Sequence, residues 1–465
     1  MASFKEQMVH RLVNIGPRFL PFADAASKDV PLSQLLRLSL FQVTVGMALV
    51  LLVGTLNRVM IVELRVPATL VGVMLALPIL FAPLRILIGY RSDIHHSALG
   101  WRRVPFIWKG TMYQFGGFAV MPFALLVLSG YAEAVDAPIW LGHGSAALAF
   151  LMVGAGVHMV QTVGLALATD LVSEDQQPNV VGLMYVMLLV GMIVSAFVFG
   201  ALLENYTPGR LIQVIQGAAV VTIVLNGIAL WKQEGRNRTR AMSPKPNADF
   251  AKAWSELSRG HGMLLLLVII GFGTLGFGMA DVILEPYGGQ VLQLSVAQTT
   301  KLTAVLAGGT LIGFAVASNV LRRGMDPITM SWIGAALGVP GFVAIILAAY
   351  GGQVALFILG IGLVGLGAGL FGHGTLTQTM RSAPKSQIGL ALGAWGAVQA
   401  TAAGIGVAVA GIMRDVIIAQ GYASQTEARN AYIPVFALEL VCLVLAIMAF
   451  AILSRKITGQ RRVTH

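Results

Sequence analysis

Long apolar stretches alternate with short polar ones along almost the whole chain of 465 residues. Twelve of the apolar stretches are each close to the ~20 residues that a helix needs to cross the hydrocarbon core of a bilayer. Their predicted limits are 35–56, 68–89, 105–129, 144–169, 180–203, 210–231, 263–284, 297–320, 328–350, 354–376, 388–412 and 433–454. The pattern therefore predicts an all-α polytopic membrane protein with twelve transmembrane helices.

The polar segments divide these stretches into two sets of six. The longest interior polar segment, residues 232–262, is basic and contains RNRTRAMSPKPNAD, a composition typical of a linker along a membrane surface. We therefore expect an N-terminal arm at 1–34, a first half at 35–231, this central loop, a second half at 263–454 and a basic tail at 455–465.

Composition supports the membrane assignment. Hydrophobic residues make up 57% of the chain and charged residues 11%, against roughly 25% charged residues in soluble domains, and the mean hydropathy is +0.80. Cys442 is the single cysteine, which excludes an internal disulfide and a cysteine-based metal site. Residues 1–34 contain no cleavable apolar run, so we expect no signal peptide.

The net charge of +11 raises the question of a nucleic-acid partner, which the distribution of charge answers. Placing both termini in the cytoplasm puts 22 of the 31 Lys and Arg residues in cytoplasmic segments and five in or at the edge of the opposite loops. An asymmetry of this kind orients polytopic proteins in the bilayer. We therefore expect cytoplasmic termini and no nucleic-acid binding.

The loop after the second span carries a recognisable arrangement of glycine and charge. Within LIGYRSDIHHSALGWRRVPFIW, residues 87–108, the skeleton consists of Gly89, Asp93, Gly100, Arg102 and Arg103. This skeleton resembles the loop between the second and third helices of major facilitator superfamily carriers, with extra residues inserted between Asp93 and Gly100. The resemblance implies a facilitator-type fold of two six-helix halves.

The loop after the fourth span is acidic, whereas the other predicted cytoplasmic loops are basic. It holds three carboxylates and no Lys or Arg, and its natural counterpart is the basic loop described above. We predict a cytoplasmic latch between neighbouring helix ends of the first half. Its members are Gly89, Arg91, Asp93, Arg102, Arg103, Asp170, Glu174 and Asp175.

Several stretches carry a more specific resemblance. The most distinctive are NRVMIVEL at 57–64, LGWRRVPF at 99–106, LEPYGG at 284–289 and GLFGHGTLTQTM at 369–380. On these stretches the chain resembles the PucC/LhaA family of phototrophic bacteria, also called the bacteriochlorophyll delivery family. The likeness runs from about residue 17 to the end of the twelfth span.

The resemblance implies a non-enzymatic factor of the bacterial inner photosynthetic membrane that assists assembly of light-harvesting complexes and handles bacteriochlorophyll as cargo. Within the family we favour the PucC branch, which serves the peripheral antenna, over the LhaA branch, which serves the core antenna. The implied partners are antenna polypeptides, bacteriochlorophyll and the lipid bilayer, with a pigment synthase or an insertase as a further alternative. The resemblance implies no metal-ion or nucleotide cofactor.

Pigment handling makes demands that candidate residues can meet. Bacteriochlorophyll is a flat, mostly apolar macrocycle whose Mg²⁺ accepts an axial ligand such as a neutral imidazole. His373 in the tenth span lies among glycines that include Gly369, Gly372 and Gly374, and such a helix surface lets a flat ring approach closely. The alternative is that these glycines serve close packing between helices.

A second candidate pigment site lies in the fourth span. His158 is near the middle of that span, and Gln161 follows one turn later. The imidazole could ligate the pigment magnesium, relay protons or form a hydrogen bond across the bundle. We favour the hydrogen bond, because ionisable groups inside a membrane usually have protein partners.

Charged and polar residues cluster at the predicted outer ends of the first and seventh spans. The members are Asn57, Arg58, Glu63, Asp281 and Glu285. One interpretation is an outer gate, or recognition of polar pigment substituents by Arg58. The favoured alternative is an Arg–carboxylate bridge that joins the two halves, because desolvated charges need partners of opposite sign.

A secondary transporter or flippase of a small amphipathic molecule is the alternative to an assembly factor. Ion-coupled carriers generally place a carboxylate deep in the cavity. The first span has none between Leu38 and Leu56, and Asp281 is predicted close to the outer end of its helix. We therefore favour the assembly factor. Since no nucleotide-binding motif or nucleophile–base pairing is evident, we do not expect an enzyme.

Overall fold

The structure is a computed structural model that describes residues 27, 29–78, 101–130, 136–173, 176–234, 262–383, 388–420 and 429–463, with isolated residues at 85, 88, 92, 254, 255, 257 and 258. The described residues form helices, which we label in chain order. They are α1 (Leu32–Glu63), α2 (Ala68–Ala76), α3 (Val104–Ser129), α4 (Ile139–Asp170), α5 (Gln177–Leu202), α6 (Pro208–Leu230), α7 (Met263–Gln290), α8 (Val296–Arg322), α9 (Pro327–Gly351), α10 (Val354–Ser382), α11 (Ile388–Ala419) and α12 (Arg429–Val463).

Every predicted span corresponds to one of these helices, so the all-α prediction is confirmed. Eleven of the described helices are long and apolar enough to cross a bilayer. The twelfth, α2, begins at Ala68, and the rest of the predicted second span lies outside the continuously described residues. The chain is therefore a multi-pass membrane protein.

Several helices extend beyond their predicted limits. α12 continues to Val463 through most of the predicted basic tail, and α7 continues to Gln290 instead of ending near residue 284. Pro286 and the following glycines suggested an end to α7 in the sequence. Burial of Tyr287 among Phe357, Tyr432 and Phe436, with ring centroids 5.2–5.6 Å away, keeps this segment helical instead.

Glycine brings pairs of helices into backbone contact within each half. α3 packs closely on α4 through Gly110 and Gly156, and α9 packs on α10 through Gly334 and Gly367. A Cβ atom built at any of these positions would meet backbone atoms of the facing helix at 3.0 Å or less. Small residues are the usual means of helix association where lipid leaves little hydrophobic driving force.

The two sets of helices meet along two long contacts. α5 packs along α8, and α2 packs along α11. We call the end of the bundle at which α1 and α3 begin the basic face, and the end at which α1 finishes the far face. Hydrogen bonds between the first and second sets of helices lie towards the far face, as when Thr69 donates its backbone N–H to Asp415 Oδ2 at 2.5 Å.

Candidate functional site

Helix α1 changes its winding where it reaches the candidate outer-end cluster. The segments Val50–Leu56 and Val59–Glu63 are π-helical, and Asn57 and Arg58 lie between them. Both side chains are almost fully buried, at 0% and 3% exposure. Since π-helical turns within α-helices often occur at functional sites, this stretch of α1 is a candidate functional segment.

The amide of Asn57 compensates for a proline in α7. Pro286 has no N–H, so the carbonyl of Val282 four residues earlier receives no helical hydrogen bond from it. Asn57 Nδ2 donates to that carbonyl oxygen at 2.8 Å. This contact joins α1 to α7 and satisfies a backbone group inside the membrane.

Arg58 is paired within its own helix. Its Nη1 atom lies 2.5 Å from Glu63 Oε1, and its Nη2 atom donates to the carbonyl of Leu294 at 3.1 Å. The expectation of an Arg–carboxylate bridge between the halves is therefore wrong for this structure, because the nearest carboxylate is supplied five residues along α1. Backbone carbonyls of the second half accept the hydrogen bonds that Asn57 and Arg58 donate across to that half.

Tyr206, in the loop between α5 and α6, belongs to the same environment. Burial and the neighbouring Glu63 carboxylate raise the pKa of the Tyr206 phenol to about 12, against an opposing effect of Arg58. The phenol therefore stays neutral across the physiological range. Glu63, Arg58 and Tyr206 therefore lie together at the end of α1 on the far face.

Asp281 and Glu285 line a cavity between the two sets of helices. The cavity has a volume of about 100 Å³, and its walls come from α1, α5, α7, α8 and α10. Glu285 is 4% exposed, and Oε1 of its carboxyl group accepts a hydrogen bond from Thr303 of α8. Because α7 runs from Met263 to Gln290, the prediction that Asp281 is close to a helix end is wrong, and both carboxyls lie well inside the helix.

Sequence analysis missed a third carboxyl group in the same region. Glu439 of α12 is fully buried, and neither of its carboxyl oxygens makes a hydrogen bond within the described part of the chain. Its polar neighbours are the backbone amide of Ala280 and the carboxyl group of Asp281. The signal was available, since Glu439 is an acidic residue inside an otherwise apolar stretch.

Part of the predicted latch comes together at the basic face. Asp170 at the end of α4 accepts from Arg102 Nη2 at 2.6 Å and from Arg103 Nε at 3.1 Å. Arg103 is buried and also donates to Ser92 Oγ at 2.7 Å. The remaining predicted members, Gly89, Arg91, Asp93, Glu174 and Asp175, lie outside the described residues.

A residue that sequence analysis did not single out holds the start of α3. The carboxylate of Glu234, just beyond α6, accepts hydrogen bonds from the backbone N–H groups of Arg102, Arg103 and Val104 at 2.8–3.0 Å. The first N–H groups of a helix lack partners inside the helix, and an acidic side chain there also complements the helix dipole. Glu234 thereby ties the beginning of the central loop to the first half.

The fourth-span candidates lie beside an arginine of the second span. Arg85 donates to Gln161 Oε1 at 3.3 Å and to Thr162 Oγ1 at 2.9 Å. His158 lies near the charge of Arg85, and its buried Nδ1 atom makes no hydrogen bond to the part of the chain that the structure describes. The structure thus places the Arg85 side chain, which was not among the predicted site residues, beside Gln161 and His158.

The tenth-span glycines occupy helix contacts. A Cβ atom at Gly369 would meet the backbone of α8, and one at Gly374 would meet Ser331 and Pro327 of α9. Gly372 has more room, and His373 is buried with its ring centroid 5.1 Å from that of Phe314. Gly369 and Gly374 therefore serve close packing between helices, which was the alternative interpretation. Their side of the helix leaves no space for a macrocycle in this structure.

Comparison with known families gives a match over most of the chain. The family model described as PUCC protein matches residues 55–457. A relative named Protein PucC from Rhodovulum sulfidophilum is 63% identical over 420 residues, which cover 90% of this chain and 92% of that protein. Another protein of the same name, from Rhodobacter capsulatus, is 63% identical over 445 residues, covering 95% of this chain and 96% of that protein.

Comparison with solved structures identifies the fold. A bacterial homologue of the human lysosomal transporter Spinster, in an inward-facing and unoccupied conformation, superposes with a TM-score of 0.66 at 15% sequence identity. The superposition covers 91% of this chain and 97% of that one. The predicted facilitator-type fold is therefore confirmed, and the similarity at this level of identity concerns the fold alone.

Proposed function

The chain belongs to the PUCC protein family, and on that premise we propose that it is a non-enzymatic assembly factor for bacterial light-harvesting complexes. In this proposal the protein binds bacteriochlorophyll and delivers it to antenna polypeptides in the inner photosynthetic membrane. The family match over residues 55–457 carries the proposal. We favour the peripheral antenna because relatives named Protein PucC share up to 63% of their residues with the chain.

The fold supplies physical support for a carrier of an apolar cargo. Ligand sites are typically concave and mostly apolar with a few polar groups, and volumes of roughly 300–1,000 Å³ are usual. The cavity between the two sets of helices is mostly apolar with a few polar groups, but its volume of about 100 Å³ lies below this range, so binding of a pigment requires the two sets of helices to move apart. Of the two candidate magnesium ligands we favour His158, since Gly369 and Gly374 beside His373 are occupied by helix packing.

The test combines a deletion strain with purified protein. Deletion in a phototrophic host should lower the peripheral antenna absorption relative to the core antenna, and the wild-type gene should restore it. The protein purified in mild detergent should carry bacteriochlorophyll, which His158→Ala should reduce more than His373→Ala. Unchanged amounts of both antenna complexes after deletion would contradict the proposal. Loss of the core antenna alone would instead assign the protein to the LhaA branch of the family, which serves the core antenna.

The transporter or flippase alternative is favoured by one observation, the pair of carboxyls that line the cavity. Asp281 and Glu285 are placed where ion-coupled carriers use acidic residues. Purified protein reconstituted in vesicles would distinguish the two functions. Accelerated exchange of bacteriochlorophyll between leaflets, without any effect of deletion on antenna assembly, would favour the flippase.

A further inference from the structure

Arg85 brings a guanidinium into a membrane-spanning part of the first half. It belongs to the predicted second span, and it contacts Thr162 of α4. Thr162 lies about 12 Å from Asp170, the end of α4 on the basic face, at about 1.5 Å of helix axis per residue. A charged side chain at such a depth is costly, and it is retained where it pairs with an opposite charge or takes part in function. Arg85 therefore requires an anionic partner.

Within the described part of the chain, the hydrogen-bond partners of Arg85 are neutral. Its Nε atom donates to Thr162 Oγ1 at 2.9 Å, and its Nη2 atom donates to Gln161 Oε1 at 3.3 Å. No carboxylate of the described residues forms an ion pair with Arg85, in contrast to Arg58, which is paired with Glu63. The described residues thus leave the charge of Arg85 without a counterion.

The guanidinium is also placed where a ligand can reach it. The side chains of Arg85, His158 and Gln161 are each partly exposed. The Nη1 atom of Arg85 makes no hydrogen bond to the described residues, so its N–H groups remain available as donors. His158 and Tyr185 lie near the charge of Arg85, so polar side chains of the second span, α4 and α5 come together here. A carboxylate group is small, and its contact with Nη1 requires no enclosed chamber.

We propose that Arg85 binds the carboxylate of an amphipathic molecule. A guanidinium and a carboxylate form charge-assisted hydrogen bonds of matching geometry. A monoanion neutralises the single charge of Arg85, whereas the dianion of a phosphate monoester would leave a negative charge in an apolar region. An ion without an apolar part would lose its hydration there and gain no apolar contact in return. The inference goes beyond the proposed function, since it does not involve the pigment magnesium.

Equilibrium binding of radiolabelled octanoate to the full-length protein in phosphatidylcholine nanodiscs tests this site, with empty nanodiscs as the background. Unlabelled compounds then compete with the label. Methyl octanoate has the same chain without the charge, acetate has the charge without the chain, and octyl phosphate carries a different anion. Each should displace the label at least about tenfold less effectively than unlabelled octanoate, because each lacks one of the expected contacts or matches the charge less well.

Substitutions of Arg85 separate its charge from its hydrogen bonds. Arg85→Gln removes the charge and should weaken octanoate binding about tenfold or more, which corresponds to the loss of a hydrogen bond between charged groups. Arg85→Lys keeps the charge and loses the planar donor arrangement, so its loss of affinity should be smaller. Arg414→Gln is the matched control, because Arg414 is a buried cation already paired with Asp415 at 2.7 Å. Its affinity for octanoate should equal that of wild type.

Protection from chemical modification locates the site in the wild-type protein. Phenylglyoxal modifies accessible guanidinium groups, and mass spectrometry identifies the modified arginines with and without octanoate. Octanoate should protect Arg85, whereas the exposed Arg210 at the start of α6 should be modified equally in both samples. This measurement keeps the inference testable if Arg85→Gln fails to fold.

Several outcomes would contradict the inference. Unchanged affinity in Arg85→Gln, or equal displacement by octanoate and methyl octanoate, would overturn it. Modification of Arg85 at the same rate with and without octanoate would place the bound octanoate elsewhere and overturn it as well. Tighter binding of octyl phosphate than of octanoate would overturn the assignment to a carboxylate. None of these readouts involves antenna assembly, so the inference and the proposed function fail separately.

Discussion

At the residue scale, the basic face shows how two neighbouring arginines differ. Arg102 and Arg103 share one carboxylate oxygen of Asp170, yet their side chains are 24% and 5% exposed. An exposed ion pair contributes little because water and salt screen it. A buried guanidinium that loses its carboxylate keeps its desolvation cost.

This difference predicts unequal effects in a thermal-unfolding assay of the detergent-purified protein. Asp170→Asn should lower the free energy of unfolding by about 1–3 kcal/mol, because it removes a negative charge that contacts the buried Arg103 guanidinium. Arg102→Ala should cost at most about 1 kcal/mol, since its partner remains paired with Arg103. Equal destabilisation by the two substitutions would show that burial of Arg103 does not govern the cluster.

At the element scale, contacts with neighbouring helices keep the end of α7 helical. Its sequence contains Pro286, which ordinarily weakens a helix interior. The contact from Asn57 to the Val282 carbonyl and the aromatic contacts of Tyr287 hold the segment helical through Gln290. The helical conformation of this segment therefore depends on its contact with α1 and on the aromatic cluster of the second half.

A double-mutant cycle tests the pairing of Asn57 with Pro286. Asn57→Leu should destabilise the protein by about 1–3 kcal/mol, because the Val282 carbonyl is left without a donor in a membrane interior. In a Pro286→Ala background the helix supplies its own N–H to that carbonyl, and the same substitution should cost clearly less. Unfolding midpoints of the four proteins give the coupling. Additive effects would contradict the proposed compensation.

At the scale of the whole molecule, the far face is closed by contacts between the two sets of helices. Asn57 reaches α7, Arg58 reaches the segment before α8, and Asp415 of α11 accepts from the first turn of α2. The cavity with Glu285 lies between the same sets of helices. A cargo that enters or leaves this cavity through the far face must break these contacts.

The orientation of the bundle in the membrane is a prediction of the charge asymmetry. A fluorescent reporter fused after His465 should fold and fluoresce, because the C-terminus is expected in the cytoplasm. Alkaline phosphatase fused at Tyr206, on the far face, should be active because that loop is expected outside. Phosphatase activity at the C-terminus together with a dark fluorescent reporter would reverse the topology.

The apolar stretches of the chain were sufficient to predict the helices, and the resemblance of the loop at 87–108 to that of facilitator carriers added the prediction of the fold. A span of about 20 apolar residues has few alternatives in lipid, since its backbone groups must be satisfied within the segment. The charge pattern likewise predicted that Asp170 would meet Arg102 and Arg103, because opposite charges ended neighbouring spans. These features depend on local composition, which a single sequence contains.

Other features depended on which helices pack together. The sequence could not show that Arg58 pairs with Glu63, that Gly369 and Gly374 lie against α8 and α9, or that Glu234 holds the start of α3. It also left Glu439 unnoticed beside Asp281. Hydrogen bonds and close approaches between distant segments are set by the packing of the bundle. The sequence by itself determined the spans and the family, and the tertiary structure decided which polar groups face the cavity and which are already satisfied.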